Sequence, residues 1–512
     1  MHDRGRRRLF TAGALLALAA LAIAGCGSSS SLRRTGPVWT PVPDASAIPG
    51  TPMVAGDWPT FDADAVRSGV NPGETAISAA TVGGLRRQWR TALPQPADST
   101  PILLHDLRLP DGAQHDVLYV TTQGGTTLAL DAATGAILWR AAPVGQRITN
   151  SSPVADPANL VIYSYGLDGK VHRYDAATGA ETRDAVWPVT VTRMPGSEKQ
   201  GSALTLANGY LYVTTGGYIG DAPPYQGHVV AIHLIDGRVT VFNSLCSNIG
   251  HVLGSGECPD DQSGLWARAG VVVDPITGYL FVTSGNGPYT ANQGGHDWGD
   301  SVIELSADAT HIIDSFTPAG FATLDQFDQD LGSTMPALLP PIAGSQTPYL
   351  LVQGGKDDVL RLLDRQNLSG QGGPGHVAGE LQIIATPGKC NVLTQPAVWQ
   401  DPASHAIWVY VTDDCGTGAY RVVTSAQGVT TLAHAWDSPQ GGTSPVLAGG
   451  VLFVAASGAV RALDPHSGRQ LWSSADAGTG GSIGNVHWQS PIVIGGRVYC
   501  SDQDGNLTAF GS

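Results

Sequence analysis

The chain has 512 residues, 28 Lys and Arg against 43 Asp and Glu, and a formal charge of −15, with only 14% of residues charged. That balance excludes nucleic acid and anionic lipid as partners recognised through charge. The 66 Gly and 34 Pro, with no long stretch of helical periodicity, point to short strands and turns.

In chain order, the first signal is a basic stretch, Arg4 and Arg6 to Arg8, followed by a weakly polar to apolar run from Leu9 to Gly25 and then Cys26. A basic stretch, an apolar stretch and small residues before a cleavage point mark a secretory signal. A Cys directly after Ala24-Gly25 narrows this to the bacterial lipoprotein type, in which Cys26 is acylated (palmitate among the chains) and becomes the mature N-terminus. The alternatives are a plain signal peptide or a single spanning helix, and the run is at the low limit for about 30 Å of hydrocarbon. The expected division is therefore a signal peptide at 1–25, a disordered Ser/Pro-rich tether at 26–55 and one repeat domain at 56–512. The expected location is extracytoplasmic, lipid-anchored at the cell membrane or an outer-membrane surface. The membrane is then the first partner, reached through the lipid.

The body repeats. Ala129-Leu130-Asp131-Ala132-Ala133-Thr134-Gly135-Ala136-Ile137-Leu138-Trp139 aligns with Ala462-Leu463-Asp464-Pro465-His466-Ser467-Gly468-Arg469-Gln470-Leu471-Trp472, and Tyr174-Asp175-Ala176-Ala177-Thr178-Gly179 is a third copy with Arg183 where Trp would stand. Asp and Thr side chains satisfy turn amides, Gly supplies positive φ, and the Trp docks between neighbouring units. Opening strands recur at 99–104, 151–156, 201–206, 267–274, 332–339, 394–399, 443–448 and 489–494. The predicted fold is an all-β β-propeller of eight blades, seven being the alternative. An N-terminal strand around Trp89 closes the last blade and removes free sheet edges. Insertions at 216–227, 243–264, 286–299 and 368–391 would mark the functional face if they project together.

Five cysteines follow Cys26. Outside the cytoplasm disulfides are permitted, and proximity in sequence suggests Cys246 with Cys258 and Cys390 with Cys415, leaving Cys500 as a buried thiol. No pair has zinc-ligand spacing. His251 and Glu257 fall between the first two, with Asp260 and Asp261 just after them, as a metal cluster or, more simply, a stapled surface loop.

The Asp-x-x-Thr-Gly-x-x-x-Trp unit resembles the docking repeat of pyrroloquinoline-quinone (PQQ) enzymes and of cofactor-free relatives that include the outer-membrane assembly lipoproteins. The resemblance spans 57–512 as a repeat. It tightens over 265–366, through Ser284-Gly285-Asn286-Gly287, Trp298-Gly299-Asp300-Ser301, Asp328-Gln329-Asp330 and Gly354-Gly355-Lys356. In quinoprotein alcohol dehydrogenases these motifs imply Asn286 as a calcium and cofactor ligand, Asp330 as catalytic base beside the calcium, and Lys356 against the quinone oxygens.

The sequence also departs from that family. It has no adjacent Cys pair, and Tyr218 stands where a Glu calcium ligand is expected, with Asp221 as a substitute nearby. Trp266 lies out of register with the Trp floor. Each residue also has a plainer reading: Asn286 as a turn residue, Asp330 as a turn cap, Lys356 in a solvated ion pair. Two functions follow. One is a binding or scaffold module holding envelope proteins or a small molecule at the propeller axis, with no cofactor. The other is an extracytoplasmic dehydrogenase of alcohols or sugars using PQQ and calcium.

Overall fold

A computed structural model describes residues 55–141, 145 and 148–512. The signal peptide, Cys26 and the tether at 26–54 lie outside the described residues. Regular secondary structure among the described residues is almost entirely strand, with one α-helix, Phe321–Gln326.

Eight antiparallel meanders of four strands are arranged as the blades of a propeller. Blade 1 comprises Ile102–Arg108, Gln114–Thr121, Thr127–Asp131 and Ile137–Arg140. The inner strands of blades 2 to 8 are Val154–Asp156, Thr205–Ala207, Val272–Val273, Ala337–Leu338, Ala397–Gln400, Val446–Ala448 and Ile492–Ile494. Each begins within one of the expected opening segments. The outer strand of blade 8 is Arg86–Ala92, which pairs antiparallel with Asn506–Gly511, so the ring closes with the N-terminal strand as expected. Faces of Val, Ile, Leu and Tyr from adjacent blades form the buried layers, including Leu118, Val120, Phe453 and Phe510 between blades 7, 8 and 1.

The docking repeat performs one task at several joints. Trp89 on the outer strand of blade 8 donates from Nε1 to Ala132 O in the turn of blade 1. Trp139 does the same to Ala176 O of blade 2, and Trp436 to Pro465 O of blade 7. The indoles lie over Gly135, Gly179 and Gly468, where a Cβ would stand 2.4 to 2.6 Å from the nearest ring atom of Trp89, Trp139 or Trp436. Glycine at that turn is therefore required twice, for its positive φ and for the ring above it. Where Arg183 replaces the Trp, Val186 takes its place over Gly237.

The segment before the closing strand walks around the inner strands in chain order. Trp58 pairs with Leu103 of blade 1, and Pro59 O accepts from Ala155 N of blade 2. Thr60 Oγ1 donates to Leu204 O at blade 3, Ala65 O accepts from Val273 N of blade 4, and Ser68 O accepts from Val398 N of blade 6. Val70–Asn71 lies parallel to the inner strand of blade 7, and Asn71 Nδ2 donates to Val493 O of blade 8. Arg67, fully buried, ties this turn together through Thr60 Oγ1, Phe61 O and Leu204 O, with Thr205 Oγ1 as a further partner. Residues 58–71 thus seal the inner wall of the ring.

Disulfides join Cys246 to Cys258 and Cys390 to Cys415, and Cys500 is a buried thiol. Three insertions, 216–227, 243–264 and 286–299, contribute to one face. The fourth departs from expectation. Leu368 N donates to Asp314 Oδ2 and Gly375 N to Ser315 Oγ, so residues 368–378 run along the outer strand of blade 4. Gln382–Ala385 forms the outer strand of blade 5, and only the last residues reach that face.

Candidate functional site at the propeller axis

In this ring the segments leading into the inner strands and the loops joining second to third strands meet at one end of the axis. They line a pocket of about 250 Å³ with Asn150, Lys199, Trp266, Asn286, Asp330 and Lys356 among its walls.

Strand Leu280–Thr283 of blade 4 ends at Ser284-Gly285-Asn286. Gly285 is needed for close approach, since a Cβ there would stand 2.3 Å from Asp330 Oδ1. Gly332 answers it from blade 5, where a Cβ would meet Gly285 N at the same distance of 2.3 Å. The two glycines let the lead-in of blade 5 lie directly on the strand end of blade 4, which brings the motif residues together. Asn286 N donates to Asp330 Oδ1 at 2.8 Å, and Asn286 Nδ2 donates to Asp328 Oδ1 at 2.9 Å. Lys356 N donates to Asp330 O, and its Nζ stands 2.5 Å from Asp330 Oδ2 and 3.3 Å from Asp328 Oδ1. The same ammonium lies 5.3 Å from the centre of the Trp266 ring.

Burial pushes the Asp330 carboxyl up, against the pull of Lys356. Burial works against the Lys356 ammonium too, but the two carboxylates overcome it and hold its pKa above the ordinary lysine value. Behind them Asp300 accepts from Leu331 N at 2.9 Å, and burial, with Asp330 nearby, lifts its carboxyl to about 8.

The opposite wall comes from blade 3. Glu198–Lys199 pairs antiparallel with Gly216–Gly217, setting Lys199 across from Gly216. Lys199 is buried, donates to Asn150 Oδ1 and lies 5.4 Å from the Tyr218 ring; burial lowers its pKa to about 8. Gly217 is packed by the Tyr225 ring, whose hydroxyl donates to Asp221 Oδ1 at 3.2 Å. The place for a third carboxylate is therefore filled by two tyrosines and two glycines. Trp266, out of register in sequence, stands in the pocket all the same, 5.9 Å from Trp488.

The fit to a calcium–quinone pair divides. Asn286 Oδ1 is buried with no hydrogen-bond partner, which suits a metal ligand. Calcium takes about six to eight oxygens, however, and the neighbouring carboxylates already hold Lys356 between them. Among the described residues no group of three or more His, Cys, Asp or Glu side chains is placed to hold a metal ion. The loop at 246–261 follows suit: Glu257 receives both oxygens' contacts from Arg193 at 2.8 Å, so it is a stapled surface loop. The metal does not fit this residue set. An organic ligand fits better, with Lys199 as the cation not held by a carboxylate and Trp266 as an aromatic face.

The family model described as outer membrane protein assembly factor BamB matches residues 75–258 and 404–512, more than half of the chain. The chain belongs to that family. The matched stretches leave out Asn286, Asp330 and Lys356, which sit in the unmatched blades 4 and 5. Similar folds occur in solved structures at low identity. The quinohemoprotein alcohol dehydrogenase from Comamonas testosteroni is 15% identical, with a TM-score of 0.63 over 89% of this chain and 80% of that one. A europium-containing methanol dehydrogenase is also 15% identical, at 0.63 over 90% and 99%. BamB from Moraxella catarrhalis is 14% identical, at 0.52 over 84% and 100%. No curated protein matches in sequence.

Asn286, Asp330 and Lys356 are thus brought together as their motif order implied. Asp328, Lys199, Asn150 and Trp488 join them without having been singled out. A positional rule would have found most of these: Asn150, Lys199, Trp266, Asp330 and Trp488 each stand a few residues ahead of an inner strand, where this BamB-family ring turns its lead-ins towards the axis.

Proposed function

We propose that this BamB-family propeller is a binding module of the cell envelope, tethered through acylated Cys26, that takes a small molecule or a partner's side chain at its axial pocket. One observation carries the reading: Lys356 Nζ contacts both Asp330 and Asp328. The ammonium stands where a bound cation's charge would be needed and occupies the carboxylate that a dehydrogenase would use as base. A pocket so neutralised recognises; it does not abstract protons.

The second reading, a PQQ-dependent alcohol or sugar dehydrogenase, is favoured by the unpartnered Asn286 Oδ1. One experiment separates them. The purified protein is mixed with PQQ and Ca²⁺ while quinone absorbance and thermal unfolding are followed. A binding module shows no Ca²⁺-dependent change at tens of micromolar PQQ. A Ca²⁺-dependent stabilisation that disappears in Asn286→Ala overturns the proposal. In the same preparation Cys26→Ser releases the protein from membranes, and retention of that variant removes the tether from the reading.

A further inference from the structure

A second cavity, of about 620 Å³, opens beside the first at the same end of the axis and is lined by Arg268, Asp414, Gln440, Arg461, His487 and Trp488, among others. Its two arginines are unusual in this chain. Arg268 is only 6% exposed, its Nε and Nη1 have no hydrogen-bond partner, and it has no ion pair among the described residues. Its guanidinium lies 4.6 Å from the centre of the Trp488 ring. Burial lowers its pKa to about 10, which leaves it a cation at neutral pH.

Arg461 is 4% exposed. Its Nη2 donates to Gly441 O at 3.1 Å and, more weakly, to Gln440 O, while Nε has no partner.

Buried charges are ordinarily paired. Arg365 and Arg361 obey that rule, meeting Asp274 and Asp357, and fully buried Arg67 is held instead by four oxygen acceptors. The carboxylates around Arg268 do not meet it. Asp98 is engaged by His487, Gln503 and Asn150. Asp62 lies in the turn held by Arg67, and Asp414, the one carboxylate on the cavity, is exposed. Two guanidinium groups without a direct carboxylate partner therefore line one space large enough for a small molecule.

We propose that this cavity is a binding site for a small organic anion, a carboxylate or a phosphate ester, received by Arg268 and Arg461. Planar guanidinium forks match both groups, and Trp488 backs the first of them. The site shares His487 and Trp488 with the Lys356 pocket but uses different cations, and it stands or falls independently of the function proposed for that pocket.

Citrate and inorganic phosphate serve as probes, each against sodium chloride at matched ionic strength, with calorimetric titration and thermal unfolding of the purified protein. The expected result is a saturable heat and a higher Tm with one or both anions. Arg268→Met weakens that binding tenfold or more, yet in chloride it unfolds at a higher temperature than the parent protein, because an unpaired buried charge has gone. Citrate alone indicates a carboxylate ligand, and phosphate alone a phosphoryl ligand. The proposal is overturned if neither anion gives heat or shift, or if Arg268→Met lowers Tm equally in every buffer. Should Arg268→Met fail to fold, Arg461→Met decides on the same two readouts.

Discussion

Asp300 accepts from Leu331 N with one carboxylate oxygen, while the other, buried, has no partner. Its pKa rises from the ordinary value to about 8 through burial. The folded state therefore binds this proton more tightly than the unfolded chain. The resulting stability is full below pH 4, is lost as pH climbs towards 8, and is gone above it. Asp300→Asn, which keeps an acceptor for Leu331 N without a charge, is expected to match the parent protein in urea near pH 4. It should exceed the parent by a widening margin up to pH 8. A margin independent of pH would show that Asp300 is not the group that titrates. At this scale the sequence motif was informative for Asn286, Asp330 and Lys356, because a run of Gly-Asn-Gly or Gly-Gly-Lys records a backbone that must pass close to another. It left Trp266 out of register, because the place of that ring depends on the path of its lead-in and not on spacing to a neighbouring motif.

At the scale of the strand and turn, almost everything was legible. Alternation of Val, Ile, Leu and Tyr between Gly- and Asp-rich turns marks the meanders, and Asp131-Thr134 and Asp175-Thr178 hydrogen bonds close the turns as their residue types require. The Trp joints can be tested one at a time. Trp139→Ala removes a ring packed over Gly179 and the bond to Ala176 O, at a cost of about 3 kcal/mol. Chemical denaturation should show that loss. Gly179→Ala, whose Cβ would strike the same ring, should destabilise as well, and the double variant should recover part of the second loss. Additive losses would mean that ring and glycine do not act as one joint. The long excursion at 368–391 was not legible. Its course along blade 4 rests on backbone contacts to Asp314 and Ser315, which leave no periodic trace.

For the whole molecule, the closing strand Arg86–Ala92 was foreseeable from an orphan Trp89, but the seal at 58–71 was not. Asp57-Trp58-Pro59-Thr60-Phe61 and the residues after it show no strand pattern, since they contact the inner wall mainly through single backbone bonds. Arg67 is the test residue. Its donors satisfy Thr60 Oγ1, Phe61 O and Leu204 O, and Asp62 lies beside it with both carboxylate oxygens unpartnered. Arg67→Met should destabilise the propeller by about 3–5 kcal/mol, because several buried oxygen acceptors lose their donor at about 1–3 kcal/mol each. Adding Asp62→Asn should return part of it, as read from urea midpoints. A loss below 1 kcal/mol would show that the seal is dispensable.

The seal also sets an order of assembly. Residues 58–71 leave the ribosome before any blade exists, yet their partners Val398, Leu447 and Val493 are made hundreds of residues later. A segment made before any blade is thus among the last to find its place. Until the final blade arrives, the inner wall stays open and the early blades have no lock, so the nascent ring depends on whatever shelters it until then.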